Sequence, residues 1–185
     1  MRKFSVFFLL IIVIISCKKE SDLSKEFDCD YEGLSNLKTY SDFKNNFKIH
    51  IPTSWKTTKY YSDVQSEIFT ADTLKQLTET YILKTSYALG SLNFDTDFYQ
   101  KTDSIIHQNN LKKIKSGTTT FIELPTFWYV VKGEKNGFSY HQFNLISKKG
   151  DLAYFTASVE IYGDLNVNER ICESLALLEK IEFLQ

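Results

Sequence analysis

Residues 127–162 read FWYVVKGEKNGFSYHQFNLISKKGDLAYFTASVEIY, and they decide the fold. Apolar and polar residues alternate on both sides of Asn136-Gly137, a dipeptide that readily takes the two positive φ angles of a tight hairpin turn. With those two residues in the turn, Val130 faces Phe143 and Trp128 faces Leu145. Lys148-Lys149-Gly150 reads as a second, three-residue turn with its glycine in the left-handed position. That turn sets Leu145 opposite Ala153, Phe143 opposite Phe155 and His141 opposite Ala157. The two turns independently put Phe143 and Leu145 on one face, and a slip by a single residue would send both to the other side. The predicted meander has an apolar face of Trp128, Val130, Phe143, Leu145, Ala153, Phe155, Ala157 and Val159. Its other face is mixed: Phe127, Tyr129, Val131, Tyr140, Gln142, Asn144, Tyr154, Thr156 and Ser158. A solvated sheet face carries fewer aromatics, so that face is either partly covered by a helix or used for binding.

Upstream, Phe47, Ile49 and Ile51 alternate with Lys48 and His50 and stop at Pro52, a half-buried strand. Trp55 opens an extended run through Tyr60 and Tyr61; residues 67–70 and 79–89 add further strands. Between Asn93 and Leu111 the period changes. Phe94, Phe98, Thr102 and Ile105 fall at helical spacing, with Asp95 and Asp97 suited to the positive end of the helix dipole. Strand signals return from Thr118. Asn168 can cap a last helix with Ile171, Leu175 and Leu178 on one stripe, and Ile181 and Phe183 suit a short extended tail. Strands, helix, strands, helix: the order predicts the α+β class, an antiparallel β-sheet packed between or against two helices.

The N-terminus is of another kind. Met1-Arg2-Lys3 is a positive head, and Phe4 to Ile15 is an uncharged apolar run. A spanning helix needs ~20 apolar residues, so this run is too short for an anchor and suits a signal-peptide core. Ile14-Ile15-Ser16-Cys17 then places an aliphatic residue and a small residue ahead of a cysteine, and Lys18-Lys19-Glu20 ends the apolar run. Head, core and cysteine box resemble a bacterial lipoprotein signal peptide. The resemblance implies cleavage after residue 16 and acylation of Cys17. The charged stretch Lys18 to Asp22 is similar to that of Bacteroidetes-type surface lipoproteins, and a solvated spacer reads equally well. The expected organisation is a cleaved signal peptide (1–16), a lipidated polar tether (17–42) and one α+β domain (43–185). The expected location is the cell envelope, at the outer membrane rather than the inner one, because Lys18 rather than aspartate follows the cysteine.

Removing Arg2 and Lys3 from 22 basic residues leaves 20 against 23 acidic ones, a mature net charge of −3. A domain this close to neutral lacks the basic footprint of a nucleic-acid binder. Besides Cys17 the chain has Cys29 and Cys172. In an oxidising compartment they could form a disulfide, or remain two buried thiols.

Phe47-Lys48-Ile49-His50-Ile51-Pro52-Thr53-Ser54-Trp55 resembles the opening strand of PsbP-like domains, in which a proline ends the strand and a tryptophan follows. The order of the later elements is similar too. The resemblance implies an antiparallel sheet between helices. It also implies that, as is usual in that family, enzymatic activity is absent, and it transfers no functional residue.

The sequence offers little chemistry. His50, His107 and His141 have no partner at metal-ligand spacing, and no cofactor motif is present. There is no G-x-S-x-G elbow and no glycine-rich phosphate loop. His141 next to Lys132, and Glu160 as a lone carboxylate on the mixed face, are the candidates a hydrolase would need. Neither names a partner, so no catalytic or metal-binding residue is assigned. Tyrosine gives binding surfaces area and a polar tip at low entropic cost. Tyr129, Tyr140, Gln142 and Tyr154 are therefore the candidate binding face; the competing reading packs those rings under the first helix. The expected function is a membrane-anchored, non-enzymatic binding or accessory module for an envelope partner. The alternatives are a small-ligand carrier with a pocket between sheet and helix, and a hydrolase with an unrecognised site.

Overall fold

A computed structural model of the chain describes residues 21–30 and 34–184. In chain order the elements are α1 (Asp22–Glu26), β1 (Leu37–Ser41), β2 (Phe47–Pro52), β3 (Lys56–Tyr61), β4 (Gln65–Ala71), β5 (Tyr81–Leu89), α2 (Thr96–Gln108), β6 (Lys112–Phe121), β7 (Leu124–Lys135), β8 (Phe138–Lys148), β9 (Ala153–Tyr162), α3 (Val167–Leu178) and β10 (Glu182–Phe183). Seven strands form one antiparallel sheet in the order β3-β4-β5-β9-β8-β7-β6, and β1, β2 and β10 form a second, small antiparallel sheet.

The apolar face expected from residues 128–159 is the inner face of the large sheet, and all eight of its residues are buried. The small sheet packs on it through Phe47, whose ring meets Phe155 at 5.4 Å, edge to face. Leu175, Leu177 and Leu178 of α3 are fully buried in the same core. The hairpin register is the predicted one, with Trp128 opposite Leu145 and Val130 opposite Phe143. The next turn differs. Leu145 lies opposite Ala157 and Phe143 opposite Val159, so β9 starts later and the connection is longer than three residues. Lys148 still pairs with Tyr154, and residues 149–152 make the connection. The pairing is offset from the expected one by four residues. An even offset leaves every side chain on its face, so alternation alone could not detect it.

The polar tether is the larger correction. From Ser21 the chain is part of the fold. Leu23 and Phe27, one helical turn apart, are buried, and Phe27 stands edge-on to Trp128 at 5.3 Å and to Phe143 at 5.6 Å. Cys29 is disulfide-bonded to Cys172 in α3, with Cα atoms 5.3 Å apart. Further on, β1 pairs with residues 48–52 of β2. The carboxylate of Asp42 accepts from the backbone N–H of Asn46 at 2.7 Å and of Phe47 at 3.1 Å, closing the turn into β2. A five-residue helix is too short to show a period, which is why this polar stretch looks unstructured as sequence.

Helix starts agree with expectation at α2 and differ at α3. The Asp95 side chain caps α2, accepting from Phe98 N at 2.9 Å. Asn168 does not cap α3. Asn166 does, in the left-handed conformation and with no side-chain bond, while Asn168 lies inside the helix and donates to Phe27 O at 2.6 Å. The segments ahead of α3 are held instead by Arg170, whose buried guanidinium donates to the carbonyls of Thr80 at 2.9 Å, Tyr162 at 3.1 Å and Leu165. Strand β6 begins at Lys112, earlier than expected, because lysine-rich exposed edge strands lack an apolar alternation.

Candidate functional site

The outer face of the large sheet is covered on one side only. Helix α2 docks there, with Phe98 and Tyr99 edge-on to Phe127 at 5.6 and 5.1 Å. Past that contact the helix and the sheet diverge, leaving a trough along the inner edge of α2. One section, of about 420 Å³, runs from Ile105 and Leu111 over Tyr129, Tyr140 and Gln142 to Glu160. A second, of about 480 Å³, shares Ile105 and Tyr129 and continues over Tyr154 and Thr156 to residues 91–93. The four candidate binding residues Tyr129, Tyr140, Gln142 and Tyr154 thus lie along one concave feature, neither dispersed nor wholly under the helix.

Their hydrogen bonding differs. Among the described residues the side chains of Tyr129, Gln142 and Tyr154 make no hydrogen bond, and burial pushes the Tyr129 phenol above its ordinary pKa. Tyr140 belongs to a network at the far end of the trough. Glu160 accepts from Lys135 Nζ at 2.7 Å and from Tyr162 OH at 3.2 Å. Burial, and then the Glu160 charge, push the Tyr140 phenol well above its ordinary range, so it stays a neutral donor at any working pH. Burial pulls the Lys135 ammonium down, but its bond to Glu160 outweighs this and holds it above the ordinary value. Glu160 is therefore one half of an ion pair and not a lone carboxylate.

His141 sits at the sheet margin beside Lys132, as read from the register. Asp164 gathers its surroundings: the carboxylate Oδ1 accepts from His141 Nε2 at 2.8 Å, Ser139 Oγ at 2.8 Å and Lys132 Nζ at 3.0 Å. Those three donors hold its carboxyl well below the ordinary carboxylate range. Nε2 faces the carboxylate, and Nδ1 is buried with no hydrogen-bond partner among the described residues. Ser139 points at the aspartate and not at the imidazole. The constellation lacks the nucleophile–base contact that acyl transfer needs, and it reads better as a clamp holding the β9–α3 loop to the β7–β8 hairpin. Sequence reasoning misses Asp164, since a loop aspartate carries no pattern of its own.

The remaining histidines are peripheral. His50 Nδ1 lies 3.1 Å from Thr39 Oγ1 and Nε2 lies 3.6 Å from Glu182; His107 lies in the last turn of α2. Among the described residues no three His, Cys, Asp or Glu side chains converge as metal ligands, and no helix is long and apolar enough to cross a membrane. Cys17 lies outside the described residues.

Together these features define an α+β protein whose largely antiparallel sheet is covered by a small sheet and helix on one side and by a trough-forming helix on the other. Mog1, solved as a single-residue mutant, has a similar fold: TM-score 0.52 at 9% identity, over 81% of this chain and 97% of that one. A protein from Bacteroides thetaiotaomicron VPI-5482 matches with TM-score 0.51 at 12% identity over 81% of this chain, which spans only 49% of that longer protein. The PsbP of Synechocystis sp. PCC 6803 aligns with TM-score 0.49 at 12% identity, over 84% of this chain and 96% of that one. At such identities the likeness concerns fold alone. No protein-family profile and no curated protein matches the sequence.

Proposed function

We propose that this chain is a lipid-anchored protein of the cell envelope, cut before Cys17 and acylated there, at the outer membrane. Its domain is a binding module without catalytic activity. The cysteine box after a short apolar core supports the anchor. The observation that carries the binding reading is the trough between α2 and the outer sheet face, with the unpaired side chains of Tyr129, Gln142 and Tyr154 along it. Pockets that hold small molecules span ~300–1,000 Å³ and combine apolar walls with a few convergent polar groups. The trough sections fall within that range, which favours, as a second reading, a small-ligand carrier over a purely protein-facing accessory role. The His141–Asp164 geometry does not favour a hydrolase.

The test is capture by the full-length protein from gently solubilised membranes, with bound proteins and small molecules both identified by mass spectrometry. The Tyr129→Ala/Gln142→Ala variant should lose the captured species at least ten-fold while its unfolding temperature stays within a few degrees. Undiminished capture by that variant would remove the trough from the function.

A further inference from the structure

The N-terminal segment, packed into the core, constrains how the molecule can stand on a membrane. The hydroxyl of Ser21 donates to Glu179, and Ser24 Oγ donates to the same carboxylate at 2.8 Å, so the described chain begins pinned to the C-terminal end of α3. Ser21 shares a cleft with residues 120–123, the β6–β7 turn. Only four peptide steps separate Ser21 from Cys17. Fully extended, they reach at most roughly 14 Å. An acylated Cys17 would therefore hold this end of the domain against the bilayer.

The same end carries the other loops in question. Thr126 at the start of β7 bonds Ser147 near the end of β8 at 2.7 Å. The β8–β9 loop follows, and Leu152 O accepts from Gly90 N at 2.9 Å; Leu89 N donates to Val64 O in the β3–β4 turn at 2.8 Å. From there the Phe43 and Tyr61 rings lie 4.9 Å apart. Across this rim large apolar side chains stand in solvent: Phe43 is 51% exposed, Val64 58%, Tyr61 67% and Leu152 77%, with Leu89 also exposed. Lysines interleave with them. Lys59 lies 5.0 Å over the Phe43 ring, Lys149 lies 5.1 Å over Phe183, and Lys44 donates to Asp63 O at 2.5 Å. Amphipathic rings and long cationic side chains of this kind suit the headgroup boundary of a bilayer.

We infer that this end of the sheet, from the β6–β7 turn to the Phe43–Tyr61 cluster, is a membrane-docking surface that inserts its apolar rim into the lipid headgroups. The inference rests on the acylation of Cys17 proposed above. The opposite end also exposes Leu74, Leu77, Phe138 and Leu165. It lies a strand length away, roughly 30 Å for a nine-residue strand, beyond the reach of the leash. The anchor enters beside β7 and the aromatic cluster sits at β3, five strand spacings or roughly 24 Å away. Two contacts so far apart fix the tilt of the domain. The trough then runs from the bilayer side, at residues 91–93, towards the far end at Tyr140. Acidic Asp63 and Asp151 alternate with the lysines, so attachment depends on apolar insertion more than on anionic lipid.

The test uses full-length, lipidated protein reconstituted in phosphatidylcholine vesicles, part of whose acyl chains are brominated. Tyr61→Trp should add emission that the bromolipid quenches at least two-fold, unchanged in high salt. Leu74→Trp, at the opposite end, should add emission that is not quenched. Equal quenching at both sites, or none at Tyr61→Trp, would overturn the docking surface while leaving the anchor intact. An unquenched Tyr61→Trp that is also shielded from aqueous iodide would assign the rim to contact between copies of this chain instead. Mass spectrometry of the N-terminal peptide separates the two readings: a Cys17 without lipid would remove the anchor, and the docking surface with it.

Discussion

Phe27 shows how much a single residue in a polar stretch can decide. It is buried and meets two aromatic rings of the main core edge to face. Truncating a buried Phe costs about 3–5 kcal/mol through lost transfer energy and the cavity left behind. Phe27→Ala should lower unfolding stability by that amount in urea titrations; a change under about 0.5 kcal/mol, typical of a surface site, would restore the tether reading. Asp164 decides a different matter. Its carboxyl ionises more readily in the folded protein than in the unfolded one, where its ordinary pKa is 3.8. A carboxylate depressed in this way contributes stability in full above that value and loses it as the pH falls further. Asp164→Asn should therefore unfold at a lower temperature than the unsubstituted chain between pH 5 and 7, with the gap closing towards pH 2. A gap independent of pH would show that the charge of Asp164 is not what holds the β9–α3 loop. Neither residue stands out in the sequence. Phe27 lacks a periodic neighbourhood, and Asp164 acquires its three donors only when β7, β8 and the β9–α3 loop come together.

Among the elements, α1 is held by a covalent tie. The Cys29–Cys172 bond spans 143 residues of chain. A bridge closing so long a loop restricts the unfolded chain strongly, and removing a native disulfide from a small secreted domain costs about 2–5 kcal/mol. Cys29→Ala/Cys172→Ala should shift the urea midpoint accordingly and loosen α1 first, visible as faster exchange of the Phe27 amide, which donates to Leu23 O, than of amides in β8. Exchange at Phe27 as slow as in β8 would mean that packing alone holds α1. The strands illustrate what alternation can and cannot convey. It put Trp128, Val130, Phe143 and Leu145 on the core side. It could not distinguish two β8–β9 registers of the same parity, and that choice was made by loop length and by the pairing of β9 with β5. The mixed face is a further case. Its aromatics were legible as an anomaly, but only the position of α2 divides them into a packed part at Phe127 and an open part at Tyr129 and Tyr154.

At the scale of the whole molecule, the proposed membrane attachment rests on Cys17. Cys17→Ser should leave the unfolding temperature unchanged and move the protein from the membrane pellet to the soluble fraction. A variant that stayed in the pellet as a mature-sized, lipidated species would refute the anchor. The sequence by itself determined the α+β class, the inner face of the meander and the turn at Asn136-Gly137. Each depends on spacing along the chain, and spacing survives in a one-dimensional string. It also carried the lipoprotein-like cysteine box, the local pattern on which the proposed anchor rests. Tertiary structure alone decided that residues 21–30 belong to the core, that α2 leaves a trough over one half of the outer face, and that Ser21 emerges at the same end as Phe43, Tyr61 and Leu152. Those features depend on distances between residues far apart in the chain, created by packing energies that no local pattern records.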